Sequence, residues 1–451
     1  MTTNHILKYA AIVLACTLPV MGNGFYAPYQ SSDAAPRGNA FVATANTAAA
    51  VYYNAAGLTQ LNDQTLQVGI YGVNNNLDAK VAGTSFSGND QWEMTSQIYF
   101  AKPLNNNWVL GFGINSPFGL NTEWGNDSPF RNAFGAVKTE ITNSTFWAVA
   151  GYKVSNTFSV GFGMGVSQLD GQMNTGVDGV PVNPVLEFNG DDNAVSWTIS
   201  ARWQPHEQHA FGLVYRSRTD YDLKGKSKTT GLAGAPKASS GGIAKLDFPP
   251  AGGGAPGGGA PGGGAPGGGA PGGGLGADAI PGGVSEADAS LGFMTPATLA
   301  VGYSYRHNSR WNIEANIEWV QWEKLDTLTL KNSSPLLPNV SIPFNWNNSF
   351  IYGIGATYQL DSGYNISFGY SYMENSQPDK TFTPAVSDAN RQWLSLGVGR
   401  KIESWSWDLT YQYAFSDRSV KNTSDLFGDP LPDGDYKSRI HSVGFSVQYD
   451  F

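Results

Sequence analysis

The sequence predicts an all-β fold, a transmembrane antiparallel β-barrel of about 14 strands with an N-terminal hatch plugging the lumen. Three observations predict it. Apolar and polar residues alternate over stretches about twice the usual strand length, the joins between stretches alternate between tight turns and long loops, and no run approaches the ~18 apolar residues of a membrane helix.

Composition agrees. The 451 residues carry a net charge of −9, only 14% charged side chains, 13% aromatics and 56 glycines. An acidic balance argues against nucleic acid as a partner, and low charge with many aromatic and Gly residues departs from an average soluble enzyme.

At the N-terminus, Lys8 precedes an apolar run from Tyr9 to Met21 and then small residues, which predicts a signal peptide over 1–22 cleaved after Gly22. A lipoprotein signal using Cys16 in "VLAC" is the rival. Cys16 is the single cysteine, so ordinary cleavage leaves a chain without disulfides. Residues 23–62 are dominated by Ala, Asn and Thr and do not alternate. That stretch is too polar for lipid and too long for a linker, and it is expected to fill the lumen as the hatch; a loose periplasmic tail is the alternative.

The barrel is expected over 63–451. In "FSVGFGMGVSQ", Phe158, Val160, Phe162, Met164 and Val166 share one face; in "RWNIEANIEWV", Trp311, Ile313, Ala315, Ile317 and Trp319 oppose Asn312, Glu314, Asn316 and Glu318. Successive side chains of a strand point to opposite faces, so period two means strand. Trp311 to Trp319 covers roughly 26 Å, about 19 Å of height at a 45° tilt, with a girdle tryptophan at each end. The predicted strands lie near 65–77, 92–102, 107–117, 137–153, 157–170, 193–204, 209–223, 290–306, 310–325, 347–360, 364–376, 389–403, 405–418 and 437–451. An even count puts both ends in the periplasm, and closing the sheet leaves no unpaired edge in hydrocarbon. The loop expected over 224–289 contains a GGGAP repeat at 252–274, whose period of five excludes collagen and whose composition predicts a disordered tether outside the cell.

With these segments on the page, the chain resembles the FadL-type outer-membrane transporters of long-chain fatty acids and other hydrophobic compounds. The resemblance rests on "NAAGL", "NSPFGLNTEW", "LVYRSRTDYDLKG", "TPATLAVGYSYR" and the last strand with Phe451, in that order along the whole chain after the signal. It implies a Gram-negative outer-membrane location, lipid and lipopolysaccharide as surroundings, and delivery by the outer-membrane assembly machinery through Phe451. It also implies capture of an apolar ligand at the outer loops and lateral release through a gap made by a kink in the third strand. The hatch motif maps to Asn54, Ala55, Ala56 and Gly57, with Ala55 in place of the family's usual proline, and the kink maps to Asn115, Ser116, Pro117, Phe118 and Gly119. Pro117 donates no ladder bond and Gly119 has no side chain, which independently marks a weak place in the wall, although Pro117 would equally end a strand at its loop.

For capture, Phe130, Phe134 and Val137 are apolar residues in an otherwise polar loop, suited to an acyl chain or to packing on a neighbouring loop. Arg216, Arg218 and Arg391 are carboxylate-binding candidates, because guanidinium pairs well with carboxylate; the alternative is that they balance lumen carboxylates such as Glu314 and Glu318. His206 and His209 in "QPHEQH" read as solvated turn residues, and His441 is the one strand histidine placed for a hydrolytic pair, with no "GxSxG" elbow to support it. No cofactor, metal site or enzyme activity is expected. The expected function is passive transport of hydrophobic molecules; the alternative is a general diffusion porin or a surface adhesin or phage receptor.

Overall fold

The computed structural model describes residues 23–125, 128, 129, 131, 133, 135–176, 185–230, 284–334, 337, 339–423 and 432–451, with the side chains of 284 and 285 left aside. The signal segment, Phe130, Phe134 and the GGGAP repeat lie outside them.

Among these residues run β1 (Thr65–Val81), β2 (Thr84–Ser87), β3 (Trp92–Pro103), β4 (Trp108–Asn115), β5 (Gly119–Glu123), β6 (Lys138–Lys153), β7 (Phe158–Gly176), β8 (Val185–His206), β9 (His209–Arg216) and β10 (Thr219–Thr230). There follow β11 (Val284–Thr295), β12 (Thr298–Arg306), β13 (Trp311–Val320), β14 (Thr327–Asn332), β15 (Val340–Pro343), β16 (Ser349–Gln359), β17 (Tyr364–Met373), β18 (Arg391–Ile402), β19 (Trp405–Val420) and β20 (Gly434–Asp450). Three pairs form single interrupted staves: β4 with β5, β9 with β10, and β11 with β12. The hairpin of β14 and β15 prolongs the wall above β13 and β16, and β2 folds back on the outer end of β1. Fourteen antiparallel staves result, and β1 closes the ring on β20 from Thr65↔Asp450 to Val81↔Gly434.

The alternation of the sequence becomes the two faces of the wall. Phe162, Met164, Val166, Ile317, Phe368, Val443 and Phe445 are exposed outward, while Ser442, Ser446, Glu314 and Glu318 are buried inward. Near the periplasmic turns, Trp108 packs against Tyr152, Trp311 against Tyr358 and Trp405 against Tyr449 with tilted rings, forming the girdle that amphipathic rings favour at an interface. Several strands run farther outward than expected: β1 to Val81, β7 to Gly176, and β8 from Val185. Gly225–Thr230 and Val284–Ala289 pair with each other, and Lys224 with Ser290, as strand rather than loop, because above the membrane the outward residues are charged and the apolar rhythm is lost. The stretch expected as a strand over 310–325 ends at Val320, and a turn of 3₁₀ helix, Trp322–Lys324, follows.

The N-terminal stretch fills the lumen. It contains one turn of α-helix, Ala50–Tyr53, and a 3₁₀ helix, Ala55–Gln60. Its alanines at 34, 35, 40, 43, 45, 48, 49, 50, 55 and 56 are all buried, and small side chains let its backbone lie directly on the wall. Gly355 and Gly369 face each other in register, and a Cβ on Gly369 would meet the backbone of Arg37 and Gly38. A small-residue wall here admits the hatch backbone as a larger side chain would not. Gly369→Val is therefore expected to give a folded, heat-modifiable barrel with a displaced hatch. Limited trypsin digestion reads this out: Arg37, buried in the native protein, becomes a cleavage site in the variant.

Candidate functional site

The third stave breaks at the residues of the "NSPFG" motif. β4 ends at Asn115 and β5 begins at Gly119, both paired with β6, with Asn115↔Thr145 on one side of the break and Gly119↔Thr142 on the other. Three residues, Ser116, Pro117 and Phe118, thus face two on β6, a bulge of the kind that bends a strand. Pro117 therefore interrupts the strand without ending it. The other edge of the stave shows the consequence. β3 pairs with β4 only from Ile98↔Ile114 to Pro103↔Val109, and β5 has no ladder with β3. Glu93 and Asn121 bridge the two sides through side chains at 2.6 Å, and Asn89 N donates to Glu123 O at 2.9 Å.

The main-chain groups released at the kink turn inward and are taken up by the hatch. Ala27 N donates to Pro117 O at 2.8 Å, and Gly119 N donates to Phe25 O at 2.9 Å. Gln30 clasps Ser116 from both sides, accepting from its N at 3.1 Å and donating to its O at 3.0 Å. Phe118 lies 5.3 Å from the Tyr26 ring, which puts aromatic surface at the inner mouth of the break. Beside it, Phe25, Phe293, Trp322, Phe344 and Trp346 form a continuous buried aromatic cluster. Scattered over four regions of sequence, these five carried no local signal; only the two tryptophans and their flanking polar residues mark strand ends.

A narrow cavity runs from the kink along the hatch to the opposite wall, lined by Tyr26, Tyr52, Pro117, Phe118, Trp147 and Arg216 among others. With a volume of ≈ 30 Å³ it is too small for an extended ligand in this arrangement.

The hatch motif acts as a clamp. Asn54 caps the 3₁₀ helix by accepting from Ala56 N, and its amide donates to Val42 O at 2.8 Å and to the wall carbonyl of Ala201 at 3.1 Å. Ala56 N also reaches Ser200 Oγ. A side chain on Gly57 would meet the backbone of Ala45. With Asn54 holding both the turn and the wall, the turn keeps its shape with Ala55 in the proline position.

The candidate arginines separate. Arg216 is buried, pairs with Glu318 at 3.5 Å, donates to Tyr52 O at 2.6 Å and lies 4.2 Å from the Tyr52 ring centroid. Tyr26 donates to the same Glu318 at 2.9 Å. The balancing role considered for lumen arginines thus describes Arg216, whose donors are directed at the hatch. Glu314 holds the hatch similarly, accepting from Ala43 N and Thr44 N at 2.7 and 2.9 Å beside Arg37. Arg391 is buried at the start of β18, whereas Arg218 is exposed on the outer face and pairs with Asp220 at 2.9 Å. Val137 is buried and donates its N to Asn174 O, so it braces the loop base rather than presenting an apolar face. His441 sits on the outward row with Tyr411 at 2.8 Å, and His209 is held by Tyr303, apart from any lumen nucleophile.

Residues 13–451 match the family model for outer membrane protein transport proteins (OMPP1/FadL/TodX). The chain belongs to this family. The 47 kDa outer membrane protein of Pasteurella multocida is 24% identical over 98% of this chain and 99% of its own length, and the long-chain fatty acid transport protein of Escherichia coli K12 is 21% identical over 79% of both. A solved FadL homologue of Pseudomonas aeruginosa shares the fold with a TM-score of 0.75 at 20% identity, covering 95% of this chain and 100% of the homologue. The toluene transporter TbuX of Ralstonia pickettii shares it with a TM-score of 0.67 at 16% identity, over 93% and 98%. As a FadL/TodX-family member, this chain is an outer-membrane β-barrel, and its relatives are transport proteins rather than enzymes.

The pairing geometry separates buried from exposed ions. Glu318→Ala leaves Arg216 charged and uncompensated, with an expected loss of about 3–5 kcal/mol. Arg218→Ala removes an exposed pair expected to contribute only ~0–1 kcal/mol. Denaturant midpoints of the purified variants in one detergent check the ordering.

Proposed function

We propose that this FadL/TodX-family member carries hydrophobic molecules across the outer membrane passively and releases them sideways into the bilayer between β3 and β5. The observation that carries this reading is the missing ladder between those strands, where the free edge is occupied by the hatch instead of by the wall. Lateral release suits an oily cargo, because passing from an apolar lumen to acyl chains avoids about 25 cal/mol of exposure cost for each Å² of apolar surface. Relatives named as a long-chain fatty acid transport protein and a toluene transporter support a cargo of one of these two kinds. In this reading the outer loops collect the molecule, and displacement of Phe25, Tyr26 and Gln30 from the kink widens the cavity beside it. Arg391 is then the buried cation toward which an acidic head group would be drawn.

The filled lumen weighs against a general diffusion porin, which needs a continuous water path. Planar-bilayer recordings are expected to show near-zero ohmic conductance, together with saturable uptake of labelled oleate or toluene by cells expressing the protein. Deleting Ser116, which removes the extra residue of the bulge, is expected to cut uptake at least tenfold while the barrel stays heat-modifiable. Deleting 39–61 is expected to abolish specific uptake and raise conductance. Porin-like currents in the native protein, or full uptake with the bulge removed, would refute the scheme.

A further inference from the structure

The wall has a second interruption, on the far side of β6 and β7. β8 pairs with β9 as far as Thr198↔Arg216 and with β10 from Asp191↔Lys224 onward. Residues 192–197 therefore face 217–223 without a ladder, six against seven. On their other edges, 192–197 are paired throughout with β7 and 219–223 with β11, while Ser217 and Arg218 face the two residues between β11 and β12 without a ladder. Side chains span most of the break between 192–197 and 217–223. Trp197 N donates to Ser217 Oγ at 2.9 Å and Asp222 N to Asp192 Oδ2 at 2.8 Å, with one main-chain bond, Ser217 N to Trp197 O, at its lower end.

On the inside of this seam, Ser196, Thr219 and Tyr221 line the same cavity that touches Pro117 and Phe118. On the outside, Val195 and Trp197 are 58% and 46% exposed, and the next outward positions are Asn193 and Asp191. The break therefore lies where the apolar belt gives way to the polar outer end, at the level of the outer leaflet.

We propose that the seam between β8 and β10 is a second lateral port, through which an alkyl chain bearing one small polar head passes between the cavity and the outer leaflet. The hydroxyls of Ser196, Thr219 and Tyr221 suit the head, and the gap between the strands takes the chain. The transport role of this port rests on the function proposed above, whereas its openness to lipid does not.

Cys16 is the sole cysteine and belongs to the expected signal segment, so single-cysteine labelling of the mature chain is clean. Ser196→Cys, labelled with a small fluorophore and reconstituted in liposomes of brominated-chain phosphatidylcholine, is expected to be quenched at least threefold more than Ser395→Cys. Ser395 is an inward position on β18 with both neighbours laddered. Heat-modifiable mobility confirms folding of each variant. Quenching at 196 should persist when Ser116 is also deleted. Equal quenching at 196 and 395, or loss of the excess once Ser116 is removed, overturns the port. Absence of uptake by the native chain would sink the transport reading alone and leave the quenching to decide the port.

Discussion

Every main-chain N–H and C=O at membrane depth must find a partner within the protein, because hydrocarbon offers none. The rest of this structure depends on that constraint. It forces fourteen staves into a ring in which β1 meets β20, and it gives each interruption of the ladder a meaning. At Ser116–Phe118 the released groups are met by Phe25, Ala27 and Gln30, so wall and plug form one hydrogen-bonded unit. A break that simply exposed these groups would be costly; here a handful of hydrogen bonds to the hatch satisfies them.

The hatch is held by two different kinds of contact. Backbone lies on backbone where the wall offers glycine, as at Gly355 and Gly369, and these contacts are unselective and depend on shape. Buried ion pairs fix position: Glu314 receives two hatch N–H groups, and Arg216 and Glu318 grip Tyr52 and Tyr26. Burying such charges is tolerated only because each finds a charge and several hydrogen bonds together. Arg216, Tyr26 and Tyr52 also line the cavity that touches Pro117 and Ser196, so part of what seats the plug borders the route proposed for the cargo.

The membrane-facing rows and the number of staves were legible in the sequence, because period two along a strand is a local property. Phe162, Met164 and Val166 face outward as their alternation requires, and the stave breaks at Pro117. Less was legible where partners come from distant segments. Arg218 and Arg216 look alike two residues apart, yet the break between β9 and β10 leaves one bonded to the hatch and the other on the outer surface. Val137 reads as an apolar loop residue and is a buried brace.

By itself the sequence determined that this chain is a closed barrel with one oily face, since alternation over so many long strands has no other way to satisfy both lipid and backbone. Only the tertiary structure decided which glycines admit the hatch, which carboxylate each buried arginine meets, and where two neighbouring staves fail to pair. Those outcomes depend on register between strands far apart in the chain, and a shift of one residue, invisible in any local pattern, is enough to open a seam.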